Sequence, residues 1–246
     1  MKKNKKNPAH QIASDLTDVL IDPIESLTEN LKRVRHVLAI YQKLYGHGSG
    51  RRSADKSDLL RFAVVFLHAT VEEFLRSIAA YYLPLGNEEA LNRVSLVGLS
   101  NSGRAEKFLL GKLARHRGKS VDTLLDESVN EYLTRLSFNN TTDVMTILQD
   151  CGLETFPELD QTLPKIQQIM ERRHRIVHQT DREKKKDKVR KRPSSLSASQ
   201  IKEWVNDVSV FAKHVIKAII EQELKGHEEQ LKELARLKGI TEPEQS

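Results

Sequence analysis

Glu171-Arg172-Arg173-His174-Arg175-Ile176-Val177-His178 puts ionisable side chains on a stretch whose apolar residues keep helical time. Ile166, Ile169, Met170, Ile176 and Val177 recur at steps of three and four, which makes one face of an α-helix. Arg173 follows Met170 by three and precedes Val177 by four, so the spacing predicts its guanidinium on that apolar face, with Arg172 projecting sideways. A cation held there requires an anionic partner. His174 and His178 are one turn apart, while Arg173 and His178 leave the helix about 140° apart. Imidazole moves protons near neutral pH, and guanidinium grips phosphate oxygens in a fixed fork without losing its charge. The combination suits a phosphodiester.

Two other readings of the same residues stay open. Arg and His are favoured in the last turn of any helix, where they meet exposed carbonyls and the negative end of the macrodipole. Zinc held by His174 and His178 is the other, although no Glu directly follows the first His and the single Cys151 offers no ligand cluster.

Charged residues make up 30% of the 246 and hydrophobic ones 38%, with 11 Gly and 7 Pro, a balance expected of a soluble, mainly helical chain long enough to bury a real core. One cysteine excludes an internal disulfide framework and points to a reducing, cytoplasmic setting. No apolar run follows the basic start as a secretory signal requires, and none is long enough to span a membrane. The net charge of +6 is carried by two local runs, four lysines in the first eight residues and eight Lys or Arg between Arg182 and Arg192. The second run, with Lys184, Lys185, Lys186 and Lys188, would draw a polyanion toward the Arg/His helix, or serve only as a solvated connector or an import signal.

Upstream of this helix, Asp22-Pro23 reads as a helix start, and Ile24, Leu27, Leu31, Val34, Leu38, Tyr41 and Tyr45 continue an amphipathic stripe to Gly46. A second helix is expected over 57–82, central because Phe62 to Val71 is nearly apolar all round. Glu72 and Glu73 follow that run with His68 one turn before Glu72, which predicts either a helix emerging into water or Glu72 turned inward to hold Arg173 or orient a histidine. Shorter helices are expected near 88–94 and over 105–116, 121–136 and 142–151, with Ser120 and Thr141 as caps. The Arg/His helix is expected to start at Pro164 with Thr162 as cap, and a last helix to follow Ser197 or Ser199. The expected organisation is a basic flexible arm at 1–22, one helical domain at 23–222 with an insertion near 84–156 and a basic connector near 182–196, and a charged helical tail at 223–246. Four long amphipathic helices imply an all-α antiparallel bundle.

Arg173-His174-Arg175-Ile176-Val177-His178 matches the R-x4-H signature and resembles the HEPN superfamily. The longer run Arg172 to Asp181, together with Ala69-Thr70-Val71-Glu72-Glu73-Phe74-Leu75-Arg76, is similar to its RiboL-PSP branch. Arg172 is also within the family's spacing, as R-x5-H. The resemblance implies a helical bundle that pairs as a homodimer so that two motifs face one cleft. In active members it implies metal-independent RNA cleavage by the adjacent 2′-hydroxyl, with no cofactor. Carried over, His178 assists proton transfer, Arg173 stabilises the phosphorane and His174 shapes the site, with Glu72 and Arg172 in support. Arg175 and the four lysines named above would bind RNA. Many members are toxins with a neutralising antitoxin, or act in phage defence with partner proteins; others are non-catalytic binding modules.

Overall fold

The computed structural model describes residues 8–46, 54–98, 110–154, 156–179 and 195–237, and all regular structure among them is helical. In chain order the helices are α1 (Pro8–Tyr45), α2 (Ala54–Tyr82), α3 (Glu88–Leu91), α4 (Val121–Arg135), α5 (Thr141–Asp150), α6 (Pro157–Gln179) and α7 (Ala198–Leu237). Tight 3-10 turns occupy Leu83–Leu85 and Leu110–His116.

α2 is the centre of the bundle, as its nearly all-round apolar sequence demands. Leu60, Ala63, Val64 and Leu67 have no exposed surface, and Val71, Leu75 and Ile78 are equally enclosed. Burying one such side chain is worth about 1.5–3 kcal/mol relative to leaving it in water. α1 lies antiparallel to α2. Near one end Ser26 and Asn30 donate to the Glu73 carboxylate at 2.7 Å each, and near the other the Lys56 ammonium sits 4.8 Å from the Tyr45 ring centre. α6 and α7 are likewise antiparallel, since Lys217 lies 3.8 Å from Glu158 and Lys165 bears electrostatically on Asp207. α6 also packs on α2, and α7 on both α1 and α2, closing a four-helix core.

Two prolines do not interrupt helices where the sequence suggested. α1 begins at Pro8 and runs through Pro23, so residues 8–22 are helical rather than a loose arm. Leu20, 5% exposed, and Val19 pack on the core upstream of the proline, and that packing offsets the one hydrogen bond the ring removes. α6 begins at Pro157 instead of Pro164. The Phe156 carbonyl receives the Leu159 and Asp160 N–H groups at 3.0 and 3.2 Å, and Pro157 sits at the first helical position, where it has no bond to lose. Thr162 is thus no cap; it is buried and donates its hydroxyl to Leu159 O at 2.7 Å.

Between α2 and α6 the chain forms short elements with side-chain caps. Asn87 accepts from Ala90 N, Ser120 from Thr123 N and Asn140 from Asp143 N. Asn140 takes the capping place expected of Thr141. The expected helix over 105–116 is a 3-10 turn in its described part, Leu110–His116. At the start of α7, Ser197 Oγ accepts from Gln200 N at 3.1 Å. Lys184, Lys185, Lys186 and Lys188 fall outside the described residues.

Candidate functional site

Of the two adjacent arginines of α6, Arg172 departs from the surroundings the sequence predicts. Arg172 is buried, at 5% exposure, whereas Arg173 is only half-buried. Arg172 shares its flank with Glu158 and Lys165 at steps of seven, and those two face Lys217 and Asp207 of α7. Arg172 is therefore turned into the α6–α7 seam. Arg173, 100° further round, faces α2, where its charge acts on His68. The sideways projection expected of Arg172 is thus overturned, and Arg173 is the arginine left with access to solvent.

The outer flank of α6 carries Glu171, His174, Arg175 and His178 at steps of three and four. His174 and His178 are both exposed, their ring centres 4.8 Å apart and their planes inclined by 45°. Beside them is an open cavity of about 440 Å³ lined by Asn139, Glu171, His174 and Arg175. The Arg175 Nε is buried without a hydrogen-bond partner among the described residues. No contact among the described residues joins Arg173 to His178, in keeping with their divergence of about 140° around one helix. The structure brings the two histidines together and leaves Arg173 on the neighbouring, α2-facing side.

On α2, Glu72 orients a histidine and does not hold Arg173. Its carboxylate lies 3.8 Å from His68 Nδ1 and 3.6 Å from the Arg76 guanidinium, and accepts the Phe138 N–H at 3.1 Å. His68, 2% exposed, donates from Nε2 to Phe138 O at 3.0 Å, which fixes the tautomer. Arg76 donates to Leu136 O at 2.7 Å. Three side chains spaced by four on α2 thus fasten the crossing between α4 and α5, and Phe138 is wholly buried under them. Burial pushes the His68 imidazole below its usual pKa of 6.5; the Glu72 charge and the Phe138 carbonyl oppose that, and the Arg173 and Arg76 cations reinforce it. His68 is accordingly neutral at physiological pH.

The same crossing reaches α6. Thr141 N–H donates to Gln167 Oε1 at 3.0 Å, and Gln167 Nε2 donates to Glu171 Oε1 at 2.9 Å, so the Glu171 carboxylate is held by a chain of bonds from the backbone. Asn139 and Gln167 had no signal in the sequence. Their places depend on a loop meeting two helices that are distant along the chain.

Other chemistries gain nothing here. Burial, and secondarily Asp150, pushes the Cys151 thiol up to about 12, so it is no ready nucleophile. Among the described residues no group of three His, Cys, Asp or Glu could hold a metal ion, and no helix is long and apolar enough to cross a membrane.

No curated protein and no solved structure matches the chain. The RiboL-PSP-HEPN family model matches residues 28–221, a span that takes in α1 from residue 28 onward, all of α2 and α6, and α7 to Glu221. On that match, with an all-helical bundle that sets the Arg/His motif in the last turns of α6, the chain belongs to the RiboL-PSP-HEPN family of the HEPN superfamily.

Proposed function

We propose that this protein is a metal-independent endoribonuclease acting as a homodimer. The observation that carries the reading is the exposed His174–His178 pair, one turn apart on the flank of α6 next to the half-buried Arg173. In the proposed reaction an RNA 2′-hydroxyl gives its proton to the His178 imidazole as its oxygen bonds to the adjacent phosphorus. The bond from phosphorus to the 5′-oxygen breaks, and that oxygen takes up a proton. The products end in a 2′,3′-cyclic phosphate and a 5′-hydroxyl. Arg173 neutralises the charge that builds on the phosphorane oxygens, and His174 shapes the space beside His178.

Because Arg173 and His178 diverge around α6, the reading draws them together across two copies of the chain. Phe62, 57% exposed and stacked on Phe66 with ring centres 6.1 Å apart, and Val177, 48% exposed, offer apolar surface for a second copy to cover. The biological role that fits is a toxin or phage-defence effector restrained by a partner protein.

The test compares wild type with His178→Ala on total RNA, with end-group analysis of the products. The variant loses cleavage by about 100-fold or more and keeps its oligomeric state in size-exclusion with light scattering. Undiminished cleavage by the variant overturns the assignment. The divergence of Arg173 from His178 within one chain favours a second reading: a non-catalytic module that binds RNA, a nucleotide or a protein. A strictly monomeric wild type that yields no cyclic phosphate selects it.

A further inference from the structure

We infer that the cavity beside His174 is a nucleobase subsite that selects guanine, a deepening that rests on the proposed RNA-cleaving role of the same helix. Its lining carries opposite charges one turn apart on α6, Glu171 and Arg175, together with Asn139 from the α4–α5 crossing and His174. Guanine is the base whose polarity matches. Its N1–H and N2–H₂ are adjacent donors, and its O6 and N7 are adjacent acceptors that a guanidinium reads. A carboxylate has lone pairs enough to take both donors even while one oxygen accepts from Gln167.

Adenine reverses the first part of this pattern. It sets an acceptor at N1 against the carboxylate and offers one donor, N6–H₂, where Arg175 needs an acceptor. Cytosine and uracil lack the paired donors altogether.

The subsite is built before any ligand arrives. Glu171 is aimed by the Thr141–Gln167 bonds, and Asn139 is set by the clamp that His68, Glu72 and Arg76 close on the 136–138 backbone. Asn139 is steadied further, its N–H donating to Asp143 at 3.1 Å and its amide to Ser137 at 2.9 Å. Seven residues of helix rise put Glu171 about 10 Å from His178, so a base at Glu171 leaves its own 3′-phosphate near the histidines. The guanosine read here is therefore the one whose 2′-hydroxyl attacks, and cleavage falls on its 3′ side.

Isothermal titration of the full-length protein with guanosine, inosine and adenosine 3′-monophosphates tests the subsite apart from catalysis. The guanosine nucleotide binds about tenfold or more tighter than the adenosine one, and inosine, which lacks the 2-amino group, falls between them. In Glu171→Gln, an exposed substitution outside the core, the guanosine advantage shrinks to less than about threefold. Equal affinity for guanosine and adenosine nucleotides in the wild type, or a preference that survives Glu171→Gln, overturns the inference. RNAs with a single guanosine or a single adenosine add the second arm. Guanine-selective binding without cleavage sinks the nuclease reading and leaves the subsite standing, whereas cleavage to cyclic phosphate with no bias toward guanosine sinks the subsite alone.

Discussion

Arg172 and Arg173 are neighbours along the chain and differ sharply in their surroundings, one enclosed at the α6–α7 seam and the other half-open toward α2. In the proposed reaction Arg173, not Arg172, is the phosphate-facing group. Solvent access decides it, and apolar alignment does not. His68 gives a residue-scale prediction. Its pKa is lowered on folding by burial, so the folded chain resists a proton that the unfolded chain accepts. This contribution is complete above the unfolded value near 6.5 and is lost as pH falls beneath it. Urea midpoints for the wild type are expected to drop more steeply between about pH 6.5 and pH 5 than those of His68→Gln, whose amide can still donate to Phe138 O. Parallel pH profiles for the two proteins would refute this account of the imidazole.

At the scale of the element, helices were legible wherever an apolar stripe repeated by three and four. The ends of α1 before Gly46 and of α2 at Tyr82 were legible too, whereas starts were legible only where a single cap candidate stood, as at Ser120. Asp22-Pro23 and Pro164 look like starts because proline is at home in a first turn, yet packing on either side carries both helices through them. The α5 cap is misplaced by a single residue for a similar reason, since Asn140 and Thr141 are both good candidates in sequence and only the backbone angles choose. Asn140→Ala is expected to cost about 1 kcal/mol in urea or thermal unfolding. Thr141→Ala should cost less, its hydroxyl being 3.4 Å from Gln167 and not the acceptor for Asp143 N. The reverse order of the two costs would mean that the helix starts one residue later.

For the molecule as a whole, the all-α bundle was readable because four long stripes each need a partner and have no strand to cover them. The site was readable in part. The Arg/His run lies on one helix and declares itself locally, but the wall opposite it comes from Asn139 and the clamp beneath, and His68 and Phe138 are 70 residues apart. No local pattern encodes such a meeting. Charge is also organised at this scale, with the basic run past α6 and the four lysines of the first eight residues set against a remainder that is net acidic. Changing Lys184, Lys185, Lys186 and Lys188 together to Gln is expected to flatten the dependence of RNA affinity on salt, by about 0.7 in the log–log slope for each phosphate that the variant no longer neutralises. An unaltered slope would take the run out of the binding surface.

The Phe138 peptide is grasped at both its N–H and its C=O by side chains one turn apart on α2. Adding or deleting one residue between Leu136 and Asn140 would rotate the wrong peptide into that grip and carry Asn139 off the cavity wall. Kindred chains should accordingly drift in length elsewhere between α2 and α6, while this short crossing keeps a constant count.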